Sequence, residues 1–373
     1  MTDTVGDWLG LVHDLYPPSH AASWDNVGLQ VGDPTWEIER VLITLDVTGA
    51  VIKEAADGPP TLVLAHHPLL FRPLDRLTPD SASGRTALAA ARAGVAVAAA
   101  HTNLDVATDG AGTSDPVVRV LDLQDPRPLT SGSDESSRVK LITFVPAEHT
   151  DAVLDALAEA GAGTIGDYER CSFRVSGTGT FRPVGSAEPY SGAVGEDNAE
   201  TEDRLEIEVP RSRLGNVVRA LLTAHPYDEV AYDIYPLIDR AHIGFGRVGT
   251  LPQPMALRAV AAAIRDQLPA PHLRYAGNPD RTIRTVAVVG GAGDSLIGAA
   301  QRAGVDLYVT GDLRHHVTLD AMEMGLALID AGHHATESAA LPSWIERLEA
   351  ERSRRGLEAQ LVPSSVPTVP WAR

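Results

Sequence analysis

Apolar runs bounded by turn residues alternate with segments of helical periodicity in the first part of the chain. The runs at 41–47 and 61–65 predict buried strands. Between Ser83, a candidate N-cap, and Gly94, a candidate stop, the chain predicts a helix that leads into a strand at 95–100. This succession of strand, helix and strand is typical of a layered α/β arrangement.

The pattern changes at residues 126–138, which are rich in Pro, Ser, Gly and acidic residues and show no hydrophobic period. Beyond this break come strand, helix, strand, helix and strand patterns, with an exposed loop predicted at 185–201. Their order predicts a small ferredoxin-like α+β unit. A second alternating series follows, with strands predicted at 283–289, 306–311 and 326–332 and a last helix at 338–352.

Both outer segments look like halves of α/β layers, so the fold class is predicted as α/β with an insertion. A discontinuous, two-half α/β domain is predicted for residues 1–126 and 248–373, and an inserted ferredoxin-like α+β domain for residues 127–247. The flanks of the insert are rich in turn residues, so we expect it to fold as a separate unit.

Composition narrows the classes of function. The chain has 373 residues, 44% of them hydrophobic and 22% charged, which is typical of folded domains and excludes global disorder. The formal net charge of −19 disfavours nucleic acid and anionic membranes as partners. The single cysteine, Cys171, excludes a disulfide framework and a zinc site of several thiolates. With no signal peptide or membrane span in the sequence, we expect a cytoplasmic protein.

The 13 histidines are the most informative residues, and three clusters of them follow predicted strands. His66 and His67 end the strand at 61–65, where a turn at Pro68 would allow both imidazoles to face one cleft. The alternative is one buried and one exposed histidine. His101 and Asp105 follow the next strand; there Asp105 is either a carboxylate that bridges two cations or a helix cap.

His333 and Glu337 form the third cluster. Their spacing of four places both on one face if a helix begins near His333. An imidazole and a carboxylate then converge on one point, as in helical metal motifs, although Glu337 would also serve as an acid near a helix start.

Three such clusters together are hard to explain by packing alone. Nitrogen and oxygen ligands without thiolate suit Zn, Fe, Mn, Co or Ni better than Ca. Five candidate ligands are more than one tetrahedral ion needs, so we predict two divalent metal ions that share a bridging carboxylate. The five candidate ligands are His66, His67, Asp105, His333 and Glu337.

A further group after a strand is Asp312, His315 and His316. Asp312 either orients a ligand or a water molecule, or caps the next helix. The glycine-rich segment at 290–296 resembles a dinucleotide loop only in its first two glycines, because Leu296 occupies the third position; we reject a dinucleotide site.

Several motifs in fixed order resemble the Nif-three-like dinuclear metal-centre family, also labelled GTP cyclohydrolase I type 2-like. They are SWDNVGLQVGD, LAHHPLLF, HTNLDVA, TGDLRHH and DAGHHATE, and they span nearly the whole chain. Within the insert, IGDYERCSFRVSGTGTFRP and AHPYDEVAYDIYPL are similar to the extra domain of the longer members, which has a fold similar to PII and CutA proteins.

This resemblance implies that the same five residues hold the two metals, with Asp105 and Glu337 as the bridges. His101 matches a family histidine near the site, where we expect it to support the ligands. The motif of Trp24, Asp25 and Asn26 resembles a loop beside the cleft, with simple packing as the alternative. The resemblance also implies a toroidal homohexamer.

Two functions follow as hypotheses. The first is a metal-dependent hydrolase of a small molecule, in which His101 or Asp312 moves the proton. Arg72 and Arg76 are then near enough to contact a phosphate, with a solvated surface position as the alternative for Arg76. The second is a non-catalytic metal-binding regulatory or scaffold protein, whose metals would be closed off by protein ligands. The insert is expected to shape access to the cleft without supplying ligands; His225, Asp228 and Glu229 would contact substrate in the alternative.

Overall fold

The computed structural model describes residues 2–107, 110–130, 138–166, 168–237, 243–268 and 270–371. The chain divides into two compact units, one of residues 1–131 and 241–373, the other of residues 132–240. Domain boundaries predicted after residues 126 and 247 fall within two paired strands of the first unit, Gln124–Pro128 and Arg247–Ala256. Residues 131–137 of the predicted break lie outside the described residues.

The elements before the insert are β1 (Asp3–Thr4), α1 (Val5–Leu15), β2 (Gly28–Val31), β3 (Glu37–Ile38), β4 (Arg40–Thr44), α2 (Gly49–Ala56), β5 (Thr61–Ala65), α3 (Ala82–Ala93), β6 (Ala96–Ala99), α4 (Thr102–Asp105), α5 (Asp115–Val120) and β7 (Gln124–Pro128). Those of the insert are β8 (Arg138–Pro146), α6 (Thr150–Glu159), β9 (Ser172–Phe181), β10 (Asn198–Pro210), α7 (Leu214–Ala224) and β11 (Tyr232–Pro236).

The elements after the insert are β12 (Arg247–Ala256), α8 (Leu257–Gln267), β13 (Arg274–Ala276), β14 (Thr282–Ala292), α9 (Ile297–Arg302), β15 (Leu307–Gly311), α10 (His315–Glu323), β16 (Ala327–Asp330), α11 (His333–Ser338), α12 (Leu341–Arg355) and β17 (Gln360–Pro363). The chain is thus a mixed α/β protein with several sheets.

The first large sheet has the strand order β17-β4-β5-β6-β2, in which β2 is antiparallel to β6 and the other pairs are parallel. Side chains along each strand alternate between two apolar cores. Val41 and Ile43 of β4 pack with Trp8 of α1 and Trp344 of α12, whereas Leu42 packs on the opposite face against α2. Burial on both faces explains the unbroken apolar runs that predict these strands.

The second large sheet has the order β13-β16-β15-β14-β12-β7, with β14, β15 and β16 parallel. Its two faces pack against α5 and α8 on one side and against α9 and α10 on the other. Strand β7 joins this sheet from before the insert, and β17 joins the first sheet from the end of the chain. The two outer segments therefore complete each other's sheets.

The insert has the order β-α-β-β-α-β along the chain, and its four strands form an antiparallel sheet of order β11-β8-β10-β9. This is the arrangement of a ferredoxin-like unit. Helices α6 and α7 cover one face of that sheet, where Leu141, Leu205 and Ile207 pack against Leu157 and Leu221.

Among the described residues, none of the helices is both long and apolar enough to span a membrane.

Candidate metal centre

The ends of parallel strands from both large sheets meet at one cavity of about 1790 Å³, which lies within the first unit. The carboxyl ends of such strands are where functional side chains collect in α/β sheets. Polar side chains follow β4, β5 and β6 in the first sheet and β15 and β16 in the second; those that line the cavity include Asp46, His67, His101, Asp105, Asp312, His333 and Glu337.

His66 is a buried histidine whose free ring nitrogen lacks a partner. Its Nδ1 donates a hydrogen bond to the carbonyl oxygen of Ala100 at 3.0 Å, so in the neutral ring Nε2 carries the lone pair. This Nε2 is buried and has no hydrogen-bond partner. Asp105 Oδ1 lies 3.5 Å from it and Glu337 Oε1 lies 3.6 Å from it. A buried lone pair facing two carboxylates is the environment expected of a metal ligand.

His67, His333 and Glu337 form a second convergence of ligand atoms. Nε2 of His67 and Nε2 of His333 each lie 3.0 Å from Glu337 Oε2 and 3.3 Å from one another. Glu337 is 4% exposed, and its Oε2 has no hydrogen bond of acceptable geometry. Because α11 begins at His333, the spacing of four does place His333 and Glu337 on one face.

His101 lies within the same group of imidazoles. Its ring is 5.1 Å from that of His66 and 5.6 Å from that of His67, and the three rings offer nitrogens close enough to hold one ion. Asp25 fixes its Nδ1 at 2.9 Å, which leaves Nε2 for the cluster. This geometry makes His101 a candidate ligand in its own right. Asp105 in turn accepts a hydrogen bond from Thr113 Oγ1 at 2.6 Å.

His66, His67, His101 and His333 have the same arrangement. In each, a hydrogen-bond acceptor holds Nδ1, and Nε2 faces the cluster. Asp46 accepts from His67 at 2.8 Å and Asp312 accepts from His333 at 2.7 Å. Such partners fix the tautomer and orientation of metal-binding imidazoles. The residues that could hold metal ions therefore fit two clusters, His66 with His67 and His101, and His67 with His333 and Glu337.

Asp46 is a residue that sequence reasoning missed. It lies just beyond β4, so the rule that indicated His66 and His101 at strand ends would have indicated it too. Asp312 lies just beyond β15 and orients a ring instead of capping α10, whose N-cap is Arg314. Its φ of +56° is unusual for a residue with a side chain, as is common where a site constrains the backbone. His315 and His316 are exposed and belong to neither cluster.

The imidazoles and carboxylates of the site shift one another's pKa values. Burial alone would lower the pKa of His67, but the hydrogen bond to Asp46 and the negative charge of the adjacent Glu337 raise it to about 10. Burial would also lower the pKa of His333, but Glu337 and Asp312 raise it to about 9. Burial would raise the pKa of Glu337, yet the surrounding imidazoles hold it well below its usual range. Without metal, His67 and His333 therefore carry protons that a metal ion would have to displace.

Asp25 is held in place by hydrogen bonds from His101 and Thr102. Burial opposes its ionisation, but hydrogen bonds from His101 and Thr102 lower its pKa to about 2. Both the backbone nitrogen and the hydroxyl of Thr102 donate to Oδ2. The motif that contains Asp25 is therefore part of the site.

The rim of the cavity is aromatic. Trp24 is 61% exposed and Phe71 is 46% exposed; their rings meet edge to face at 5.9 Å, and each also contacts the ring of His101. Arg72 and Arg76 are exposed and, within the described part of the chain, do not line the cavity. The arginine that lines it is Arg274, which donates to Asp330 and to the Leu313 carbonyl.

Within the insert, the hydrogen bonds of three residues are to other residues of the insert; these are His225, Asp228 and Glu229. His225 Nε2 donates to the Phe144 carbonyl at 2.9 Å, and its Nδ1 accepts from the backbone of Tyr227 at 3.2 Å. Asp228 accepts from the backbone of Glu188. The residues that form the metal clusters all lie in the first unit.

A glycine gives Glu337 its space. Gly291 has a φ of +68°, and a Cβ there would lie 2.1 Å from Glu337 Oε1. We expect Gly291→Ala to displace Glu337 and to lower metal content per chain by at least about half, because the buried carboxylate has no other room. Elemental analysis of the purified variant measures this.

Gly304→Ala is the matched control, because Gly304 has a φ of +66° and open space where its Cβ would lie. The two variants have similar backbone strain, because both glycines have a left-handed conformation. Equal metal loss in the two would therefore contradict a steric clash with Glu337 as the cause.

Comparison with known proteins identifies the family of this chain. The family model described as Duf34/NIF3 (NGG1p interacting factor 3) matches residues 4–370. A Bacillus subtilis protein named GTP cyclohydrolase 1 type 2 homolog is 42% identical over 326 residues, which cover 87% of each chain. A Mycobacterium leprae protein of the same name is 39% identical over 375 residues, covering 100% of this chain and 96% of its own.

Solved structures show the same relationship. A Bacillus cereus protein related to NIF3 is 35% identical and covers 100% of both chains with a TM-score of 0.69. A Staphylococcus aureus protein is 26% identical and covers 100% of this chain and 99% of its own with a TM-score of 0.74. The resemblance predicted from the motifs is confirmed, and this chain belongs to the Duf34/NIF3 family.

Proposed function

We propose that this chain is a hydrolase that depends on two divalent metal ions. The observation that carries the proposal is the buried, unpartnered Nε2 of His66 facing Asp105 and Glu337. The ligands would be the five residues predicted from the sequence together with His101, and the two carboxylates would bridge the ions. Nitrogen and oxygen ligands favour Zn, Fe, Mn, Co or Ni.

Metal ions at such a site supply a lowered water pKa and charge to stabilise a substrate oxygen. The protein's own part is to orient the imidazoles, through Asp25, Asp46 and Asp312, and to receive a proton. Asp312 suits the second task, because its side chain is 59% exposed and lines the cavity. His101, with its Nδ1 held by Asp25, suits the role of a ligand better than that of a proton carrier.

An open cavity favours catalysis over a structural or storage role for the metals. Structural sites are closed by protein ligands, whereas this cluster borders a cavity of about 1790 Å³. The exposed rings of Trp24 and Phe71 would pack against an apolar part of a small-molecule substrate. The relatives are named as homologues of a cyclohydrolase, which supports hydrolysis as the class of reaction.

Asp312→Asn tests the proton-transfer role. In a screen of nucleotides, cyclic phosphates and amides with metal restored, we expect hydrolysis by the natural chain. The variant should keep its metal but lose about 10²- to 10⁴-fold in kcat, because an amide cannot accept the proton.

Asp320→Asn, at an exposed position of α10, is the control and should retain full activity. Unchanged kcat in the Asp312 variant would leave Asp312 as a positioning residue only. A metal-loaded chain without hydrolysis of any of these bond types would contradict the proposed activity.

The insert is proposed to be similar to PII and CutA proteins and to shape access to the cavity. The β-α-β-β-α-β order and the absence of candidate ligands from its described residues support this proposal. We expect a variant that joins Thr130 to Ile243 through a short Gly/Ser linker to fold and to bind two metals, with altered turnover. Those ends leave the pairing of β7 with β12 intact.

Elemental analysis of that folded variant is the measurement. A folded core that has lost its metal would show that the insert contributes ligands.

A homohexamer is proposed on the family resemblance, and light scattering in solution measures the number of subunits. A small-molecule substrate is the expected partner, and the charge of −19 continues to disfavour nucleic acid.

A further inference from the structure

The insert contains a second cavity, which shares none of its lining residues with the cavity at the metal centre. It has a volume of about 720 Å³ and lies against β8, β9 and β10, where Phe144, Arg204 and Val175 are directly paired across the strands. Along β10, Arg204 is next to Leu205, which packs against the helices together with Ile207, so the cavity is on the opposite face of the sheet. Its size is typical of small-molecule pockets, about 300–1,000 Å³.

The walls of the cavity are aromatic. Tyr190, from the segment between β9 and β10, and Tyr227, from the segment after α7, have ring centroids 5.6 Å apart at an interplanar angle of 42°. Phe144 and Phe181 complete the apolar lining. The floor at Gly177 is open, because a Cβ there would have no neighbour within 4 Å. The rings thus surround space that a ligand could fill.

A buried carboxylate lies beside the rings. Glu202 is 7% exposed and lines the cavity, and its Oε1 accepts a hydrogen bond from the hydroxyl of Tyr227 at 2.7 Å. The hydroxyl of Tyr190 likewise donates to Glu148. Because both hydroxyls donate to carboxylates, the rings become richer in electrons, which strengthens their attraction for a cation.

The remaining charges leave the cavity negative. Its two arginines are neutralised locally, Arg182 by a bidentate pair with Asp197 and Arg204 by Glu206. Glu202, by contrast, is bonded to a neutral hydroxyl and, among the described residues, forms no ion pair. An ionised carboxylate buried in this way is costly unless a counter-charge reaches it.

We propose that this cavity binds an organic cation with an apolar body, of the alkylated-ammonium class. Tyrosine rings would contact the cation by their faces, and Glu202 would supply the opposite charge. The site is independent of the metal centre, because its lining residues all belong to the insert unit.

Calorimetric titration of the full-length protein with choline and with its neutral isostere, 3,3-dimethyl-1-butanol, tests the proposal. We expect choline to bind with a Kd in the millimolar range or below and the isostere to bind at least about tenfold more weakly, because the two differ in charge and hardly in shape. Binding should be the same before and after chelation, which separates this site from the metal centre.

Variants locate the site. Tyr190→Ala should weaken choline binding at least about tenfold, and Tyr190→Phe should largely retain it, because the ring is kept. Glu202→Gln should also weaken binding. Val194→Ala, an exposed position between the same two strands that does not line the cavity, is the control and should bind as the natural chain does.

Equal affinity for choline and the neutral isostere, no binding of choline up to 50 mM, or binding unaffected by Tyr190→Ala would each overturn the proposal. Tyr190 is 41% exposed, so its substitution does not remove a core residue and the variant should fold.

Discussion

The double variant His67→Ala with Glu337→Ala is expected to lose at least one of two metal equivalents per chain. Both residues belong to one cluster, in which Nε2 of His67 lies 3.0 Å from Glu337 Oε2. Because Glu337 also lies 3.6 Å from His66, its loss should affect the second ion as well. The measurement is elemental analysis of protein purified without chelator.

The matched control replaces His316 and Glu323 with alanine; both are exposed on α10 and lie outside the clusters. This control should retain the full metal content. If the double variant of His67 and Glu337 did so too, the assignment of the site would be wrong.

Metal binding should release protons, and this is the second large effect. The pKa values of about 10 for His67 and about 9 for His333 mean that these imidazoles are protonated at neutral pH in the metal-free chain. Ligation needs the neutral ring, so we expect release of about one to two protons per chain at pH 7. Metal affinity should then rise as the pH is raised from about 6 to about 9, and the release should fall towards zero above those pKa values.

Calorimetry in buffers of different ionisation enthalpy measures the released protons directly. An affinity that is independent of pH, with no proton release at pH 7, would contradict the described electrostatics.

The elements that the sequence predicts are those with a regular pattern of apolar residues. Strand β5 occupies the predicted residues 61–65, and helix α3 lies within one residue of the predicted span. Strand β9 is missed, because Ser172–Phe181 is rich in Gly, Ser and Thr and mostly exposed, so that no hydrophobic pattern marks it. Strand β17 is missed for a related reason: it is a four-residue edge strand without buried residues.

Much of the site is predictable because strand ends concentrate functional residues. The sequence predicts one group of ligands, and the structure brings its members together; they are His66, His67, Asp105, His333 and Glu337. Orientation of the rings is not predictable in the same way. Asp25 and His101 are 76 positions apart, and His66 lies 34 positions from the Ala100 carbonyl that holds it, so only tertiary folding shows which acceptor holds which imidazole.

The proposed dinuclear centre is tested most directly by an anomalous-scattering difference map from crystals of the chain purified without chelator. Two peaks are predicted, about 2.0–2.2 Å from ring nitrogens of the four histidines, with Asp105 and Glu337 beside both. A single peak, peaks elsewhere in the chain, or no peak would contradict the account.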